Sequence, residues 1–313
     1  MNVLVTGGAG FIGSHLVNKL ASLAGEIVVY DNLTTGYLDN VRTLLPEIKF
    51  IPGDIRDKER LFSAMAGIDV VFHLAAKASV IESIQDPWTT HAVNNTGTLN
   101  ILLGALHNDV KRVILASSCA VYGDAHQPPL NESYLPFPKS LYAATKVNLE
   151  AMAESFYQSH QLEYVALRFF NVYGHRQRAD SEYAGVISKF INCYQTKQSP
   201  IIYGDGLQTR DFIYVEDVVQ GLIRASQLDG AVLKSHRVFN LGTGNPVSIV
   251  ELLKIISDDA GYELEPIYQP ERAGEIRHSH ADTRLAFTYQ LLDTLTEISE
   301  GIKIIWDKTM NLK

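Results

Sequence analysis

Cysteine is almost missing from this chain: two of 313 residues, Cys119 and Cys193, 74 positions apart. That spacing excludes a disulfide framework or a zinc knuckle and fits a reducing compartment, so the cytoplasm is the expected location. Long apolar runs are missing too. None approaches the roughly 20 residues of a membrane span, and the first apolar stretch, Val3-Leu4-Val5, stops at Thr6-Gly7-Gly8, unlike a signal peptide. Basic excess is also lacking, because 27 Lys+Arg stand against 35 Asp+Glu for a net charge of −8. No stretch concentrates Lys and Arg as a phosphate-tracking surface requires, which makes nucleic acid a poor partner. There is no internal repeat, low-complexity tract or disordered linker.

What remains is ordinary globular composition, 46% apolar and 20% charged, with length for about two domains at roughly 150 residues each. In the first half, short β-branched runs at 2–6, 26–30, 49–52, 70–74, 112–117 and 164–169 alternate with segments of helical spacing. That alternation is the signature of an α/β doubly wound parallel sheet covered on both faces. Between the first two runs Ile12, Leu16, Leu20 and Leu23 form one apolar stripe, and 88–107 and 142–160 read as further helices. Ligands of such sheets sit beyond the carboxyl ends of the strands.

After residue 171 the pattern loosens. Segments 212–215 and 238–241 read as strands flanking a helix and are assigned back to the first domain. The expected division is therefore 1–170 plus about 212–244 for a Rossmann domain, and about 171–211 plus 245–313 for a smaller α/β substrate domain.

Directly after the first strand, Gly7-Gly8-Ala9-Gly10-Phe11-Ile12-Gly13 opens the first helix. Glycines allow a tight turn and close backbone approach, while the helix start offers unpaired N–H groups and partial positive charge to a pyrophosphate. The spacing of Gly7, Gly10 and Gly13 differs from the commoner G-x-G-x-x-G and is not specific alone. Asp31 strengthens it, lying 18 residues past Gly13 at the end of the second strand, where a carboxylate accepts from ribose hydroxyls and repels a 2′-phosphate. NAD is the expected cofactor. Asp54-Ile55 after the third strand either flanks the adenine or caps a helix.

Tyr142 and Lys146, at i and i+4, share a helix face. A neighbouring ammonium favours phenolate, so Tyr142 is expected to be a usable base closer to neutrality than a free phenol. Tyr-x-x-x-Lys is common, but here Ser117-Ser118 ends the fifth strand 24 residues before Tyr142, where a hydroxyl can bond the same substrate oxygen.

Together, Gly7 to Gly13, Asp31, Ser118, Tyr142 and Lys146 resemble the extended short-chain dehydrogenase/reductase family, specifically its nucleotide-sugar epimerases and dehydratases. The likeness extends through Arg168-Phe169-Phe170-Asn171-Val172-Tyr173-Gly174, Arg210-Asp211-Phe212 and Arg272-Ala273-Gly274-Glu275, essentially the whole chain. It implies a Ser118, Tyr142, Lys146 triad with Lys146 also touching the nicotinamide ribose. Phe11, Ile12, Asn32, Leu74, Ala75, Ala76, Lys77, Asn94 and Phe170 match cofactor positions. Asn171, Val186, Tyr203, Arg210, Arg272 and Glu275 match positions holding the nucleoside diphosphate, and Lys77, Ser118 and Tyr142 face the sugar as well. Two guanidiniums suit a diphosphate even on an acidic protein. Without the likeness, a salt bridge from Arg210 to Asp211 or Glu216 would be the favoured reading.

Dehydratases of the family carry a protonating acid beside the triad hydroxyl. This chain has Ser118-Cys119-Ala120 before Val121-Tyr122-Gly123, and neither Cys119 nor Ala120 is a carboxylic acid. The likeness therefore implies C4 epimerisation of a UDP-sugar through a 4-keto intermediate. In similar epimerases the residue seven past the phosphate-binding Arg borders the sugar: Tyr restricts it to plain hexoses, a small residue admits a 2-acetamido group. Here it is Ser279, and Arg277-His278-Ser279 resembles epimerases acting on UDP-N-acetylglucosamine, although Ala273 replaces the frequent Pro. UDP-GlcNAc and UDP-GalNAc are expected, with UDP-glucose and UDP-galactose alongside. UDP-glucuronate is the nearest rival, with Arg176, Arg178 or Lys77 available to its carboxylate. A non-catalytic NAD-binding module is the reading from another class, opposed by the retained triad and arginines. His278 and His280 lack a third ligand, so no metal is expected. Cys119, Phe156, Tyr157 and Trp88 read as packing residues, and the likeness implies a homodimer through the helices 88–107 and 142–160.

Overall fold

The computed structural model describes residues 1–178, 185–271 and 276–310. Its strands are β1 (Val3–Thr6), β2 (Ile27–Asp31), β3 (Lys49–Pro52), β4 (Val70–His73), β5 (Arg112–Ser118), β6 (Glu163–Phe169), β7 (Asn171–Tyr173), β8 (Ile201–Tyr203), β9 (Thr209–Tyr214), β10 (Val238–Leu241), β11 (Pro246–Ser248), β12 (Ile267–Gln269) and β13 (His278–Ser279). Among the described residues, seven form one sheet in the order β10-β6-β5-β4-β1-β2-β3, every pair parallel. Alternation along the buried strands feeds two cores. Val3 and Val5 point into one, with Leu16 and Leu222 from the helices Phe11–Leu20 and Val215–Gln227; Leu4 points into the other, with Leu61, Ile101 and Leu149. Burying both faces explains the continuous apolar runs. The order reverses between β1 and β4, the place where such sheets bind ligands.

Four differences from the sequence expectation have local causes. The first helix stops at Leu20, whose carbonyl accepts from the N–H groups of Leu23 and Ala24; this turn leaves Leu23 exposed. The segment 87–107 is helical throughout but includes a π-turn at Ala92–Thr96. Trp88 is 84% exposed and packs into no core, whereas Phe156 and Tyr157 do pack on the second one. Finally, β10 joins the large sheet, but β9 does not: it pairs with β7, β11 and β13 in a smaller one. The strand read at 212–215 therefore lies outside the Rossmann sheet.

A third core lies under the small sheet, where Ile187, Phe190, Tyr214, Leu252 and Ile302 meet. The helix Ile249–Ala260 there begins with a capping box of Ser248 and Glu251 and ends at Gly261, φ +77. One residue, Phe170, separates β6 of the large sheet from β7 of the small one. No described helix is long and apolar enough to cross a membrane.

Candidate active site

Gly7 turns the chain after β1 at φ +70, and a Cβ there would lie 2.8 Å from the Ala75 amide nitrogen. A Cβ on Gly13 would lie 2.1 Å from the Gly7 carbonyl oxygen. Glycine at these two positions keeps the loop and the β4 end close together. Gly10 starts the helix Phe11–Leu20 with no side-chain cap, so the first-turn N–H groups point outward without an intrahelical partner. Above them opens a cleft of about 450 Å³ between the ends of β1 and β4, lined by Gly7, Gly10, Phe11, Ile12, Gly13, Asp31, Asn32, Asp54, Ile55, Leu74, Ala75, Ala76, Lys77, Tyr142 and Lys146. A glycine cradle against a helix start fits a dinucleotide pyrophosphate.

At the far end, Asp31 accepts from the Ala9 N–H at 3.0 Å and the Leu33 N–H at 2.8 Å. Burial raises its carboxyl above the usual range, against those two bonds. Asp54 is not a helix cap: Asp57 caps the helix Lys58–Ala64. Asp54 accepts from the Arg56 guanidinium at 2.9 and 2.7 Å and from the Asn32 amide at 3.0 Å. Hydrogen bonds from Arg56 lower its pKa to about 2.

The opposite end holds the residues read as a triad. Ser140 caps the helix Leu141–His160, which places Tyr142, Lys146 and Glu150 in line at intervals of four. The Lys146 ammonium donates to the Ala116 carbonyl at 2.6 Å and sits 5.8 Å from the Tyr142 ring centre. Burial lowers Lys146 to about 8, opposed by the Glu150 carboxylate. The expectation for Tyr142 is reversed. Burial raises its phenol to about 12, and what pulls it back is a hydrogen bond with Ser118 rather than the lysine. Behind the triad, Glu150 accepts from the Ser117 hydroxyl at 2.5 Å and from Arg168 at 2.9 and 2.7 Å.

A second cleft, about 440 Å³, lies beside the small sheet and is lined by Asn171, Val186, Tyr203 and Arg210, with Lys189, Asn192 and Cys193 from the helix Val186–Thr196. Arg210 donates to the carbonyls of Thr209 at 2.9 Å and Arg277 at 3.4 Å. The two acids weighed as its partners are engaged elsewhere. Asp211 accepts from Thr243, Gly244 and Ala281, and Glu216 lies 2.6 Å from His15. Cys119, next to Ser118, feels the charges of Asp211 and Arg210, while burial lifts its thiol to about 12. The loop after β5 and Arg210 therefore lie near one another.

Some expected residues lie elsewhere. Ser118 ends β5 within reach of Tyr142 but lines neither cleft. Ser279 is buried in register with Arg210 and also lines neither. Phe170 is turned into a cluster with Val121, Tyr122 and Ala281, and Phe169 lines the first cleft instead. Asn94, in the π-turn, is buried behind the cleft wall. Its amide oxygen accepts from the Lys77 N–H at 2.8 Å, and its amide nitrogen donates to the Lys77 carbonyl and to Thr145 at 3.0 Å each. Arg272 and Glu275 fall outside the described residues. The sequence reading missed Arg56, Glu82, Glu150 and His73. Glu150 carried a signal, since it continues the four-residue spacing of Tyr142 and Lys146.

Comparison with known proteins agrees with this geometry. The NAD dependent epimerase/dehydratase family matches residues 3–242. Relatives include a UDP-glucose 4-epimerase of Mycolicibacterium smegmatis, 34% identical over 307 residues and 96% of each chain. Among solved structures, a UDP-N-acetylglucosamine 4-epimerase from Methanobrevibacter ruminantium, in complex with UDP-N-acetylmuramic acid, superposes with a TM-score of 0.93 at 37% identity, covering 100% of this chain and 99% of that one. The Thermus thermophilus UDP-glucose 4-epimerase in complex with NAD gives 0.89 at 33% identity, covering both chains completely. The chain belongs to the NAD-dependent epimerase/dehydratase family.

Proposed function

We propose that this chain is an NAD-dependent UDP-sugar 4-epimerase whose preferred pair is UDP-GlcNAc and UDP-GalNAc, with UDP-glucose and UDP-galactose also turned over. The observation that carries the reaction is the cleft that holds Tyr142 and Lys146 beside a glycine loop and helix start, with Ser118 hydrogen-bonded to Tyr142 and a second cleft lined by Arg210. Cys119 and Ala120 follow Ser118 where elimination of water would need a carboxylic acid. For the sugar, the resemblance puts residue 279 at the border of the sugar site, where a serine, here in register with Arg210, would leave more room at C2 than a tyrosine. A pocket with that room rarely excludes the smaller hexose strongly.

NAD, when bound, supplies the acceptor and donor of the C4 hydride and a positively charged ring. Tyr142 holds and moves the O4 proton, and Ser118 hydrogen-bonds the same oxygen. Lys146, fixed by the Ala116 carbonyl, keeps positive charge beside the phenol. Burial favours the protonated phenol of Tyr142, and the hydrogen bond with Ser118 opposes it. Arg210 with Arg272 would grip the diphosphate while the 4-keto sugar turns and presents its other face. The exposed side of 80–107 offers Trp88, Ile84 and Leu99 for a second copy of the chain, in keeping with a homodimer.

The test is a panel of UDP-sugars incubated with the purified enzyme, products separated by chromatography. UDP-GlcNAc and UDP-GalNAc should interconvert to one equilibrium mixture from either side. The Tyr142→Phe protein should retain its circular dichroism spectrum and lose at least roughly 100-fold in kcat, the usual range for a lost acid–base group. Net accumulation of NADH without a C4 epimer would sink the epimerase reading. Conversion of UDP-glucose but not UDP-GlcNAc would overturn the assignment to Ser279.

A further inference from the structure

The cleft wall beside Tyr142 carries an ion pair that the chemistry above does not use. Lys77 reaches 3.5 Å from the carboxylate of Glu82. Asn94 clamps the Lys77 backbone on both sides. Glu82 belongs to the short helix Val80–Gln85, which is fastened to the triad helix because the Tyr142 N–H donates to the Ser83 hydroxyl at 3.2 Å. Both ends of the pair are thus held by elements that also hold Tyr142. Asp86, one residue beyond that helix, feels the same lysine charge.

In a sugar oxidised and reduced at C4, C6 is two bonds from the reacting carbon, so with C4 presented to Tyr142 its substituent would come near the cleft wall that Tyr142 and Lys77 share. A hydroxymethyl group there asks only for hydrogen bonds, and an ammonium paired to one carboxylate still has N–H donors to give. A C6 carboxylate asks for an unneutralised cation and meets Glu82 as a like charge. The two other cations that could serve a uronate are placed elsewhere: Arg178 lies over the Tyr37 ring at 5.6 Å, and Arg176 lines neither cleft and feels the charge of Glu216. Of Lys77, Arg176 and Arg178, Lys77 alone lines the cleft.

We propose that Glu82, by neutralising Lys77, is a specificity-determining residue that restricts the sugar site to uncharged C5 substituents and turns away uronates. This rests on the reading of the chain as a UDP-sugar 4-epimerase. Glu82→Gln keeps the shape of the side chain, and the helix start does not depend on the carboxylate, since its bond is from the Glu82 N–H to the Ser79 hydroxyl at 3.1 Å.

The experiment compares kcat/KM for UDP-glucuronate and UDP-glucose in the wild-type holoenzyme, Glu82→Gln, and the double variant Lys77→Met with Glu82→Gln. The uronate-to-hexose ratio should rise at least tenfold in Glu82→Gln and fall back in the double variant. An unchanged ratio in Glu82→Gln overturns the proposal, as does a gain that survives removal of Lys77. Wild-type enzyme that turns over the uronate as well as the hexose overturns it too, leaving the epimerase reading intact. If no UDP-hexose is epimerised, that reading fails by itself, and the ratio of dissociation constants for the two nucleotides, titrated calorimetrically on the same three proteins, decides the role of Glu82 by the same criteria.

Discussion

His73 sits on β4 in the interior, its Nδ1 2.8 Å from the Thr6 hydroxyl and its Nε2 3.1 Å from that of Thr98. The Thr98 hydroxyl donates onward to the Asn94 carbonyl at 2.6 Å, so a neutral ring that accepts at Nδ1 and donates at Nε2 satisfies the chain. Burial, helped by the Lys146 ammonium, lowers its pKa to about 3. The unfolded chain takes up a proton near pH 6.5. Between about 6.5 and 3 the unfolded state therefore binds one proton more than the native state, and stability drops as the pH drops, by up to ~1.4 kcal/mol per unit. His73→Gln, which cannot titrate, should show a slope flatter by about that amount between pH 6 and 4 in urea denaturation. Equal slopes would mean that His73 does not stay neutral in the fold. Such side chains mark where sequence reading ends. A lysine four residues from Tyr142 is visible in the sequence and argues for a lowered phenol; the burial that outweighs it belongs to the fold.

At the scale of elements, the glycine loop makes the sharpest distinction among residues of one type. A methyl on Gly13 would meet the Gly7 carbonyl oxygen at 2.1 Å and the Gly8 Cα at 2.8 Å, whereas one on Gly10 meets only that carbonyl, at 3.1 Å. Backbone cannot yield as a side chain does, so Gly13→Ala should lower the melting temperature and leave less NAD to be released on denaturation. Gly10→Ala should keep the wild-type melting temperature far more closely. Equal melting temperatures and NAD contents for Gly13→Ala and wild type would contradict the packing argument. The glycine spacing and the alternation of strands with helices were legible because they are local. The stop after Leu20, the π-turn that aims Asn94 at Lys77, and the departure of β9 to the small sheet were not. Each depends on what the segment packs against. The pair Phe169 and Phe170 shows the same limit: Phe169 ends β6 and lines the cleft, Phe170 just past it packs with Val121 and Tyr122, and only the fold says which is which.

For the whole molecule, a net charge of −8 argued against polyanions, yet the proposed ligands carry diphosphates. Charge is resolved by place: a helix start, Arg210 and Lys146 supply local positive potential within an acidic surface. Apolar surface is uneven in the same way. Val80, Ile81, Ile84, Trp88 and Leu99 are all exposed along one stretch of chain. Beside it, Asn148 of the helix Leu141–His160 donates to Asn95 at 3.0 Å, which ties that helix to the helical segment 87–107 at the surface. Scattered exposed apolar residues are normal, but a contiguous patch rimmed by polar groups marks an interface. A stable dimer needs about 800 Å² from each partner, and the proposed dimer would draw it from these helices. Light scattering at micromolar concentration should therefore give about twice the chain mass of 34.7 kDa. Leu99→Glu, which places a charge on the outer face without touching either cleft, should shift the mass toward one chain. A monomeric wild type, or a variant that stays fully dimeric, would remove this face as the interface.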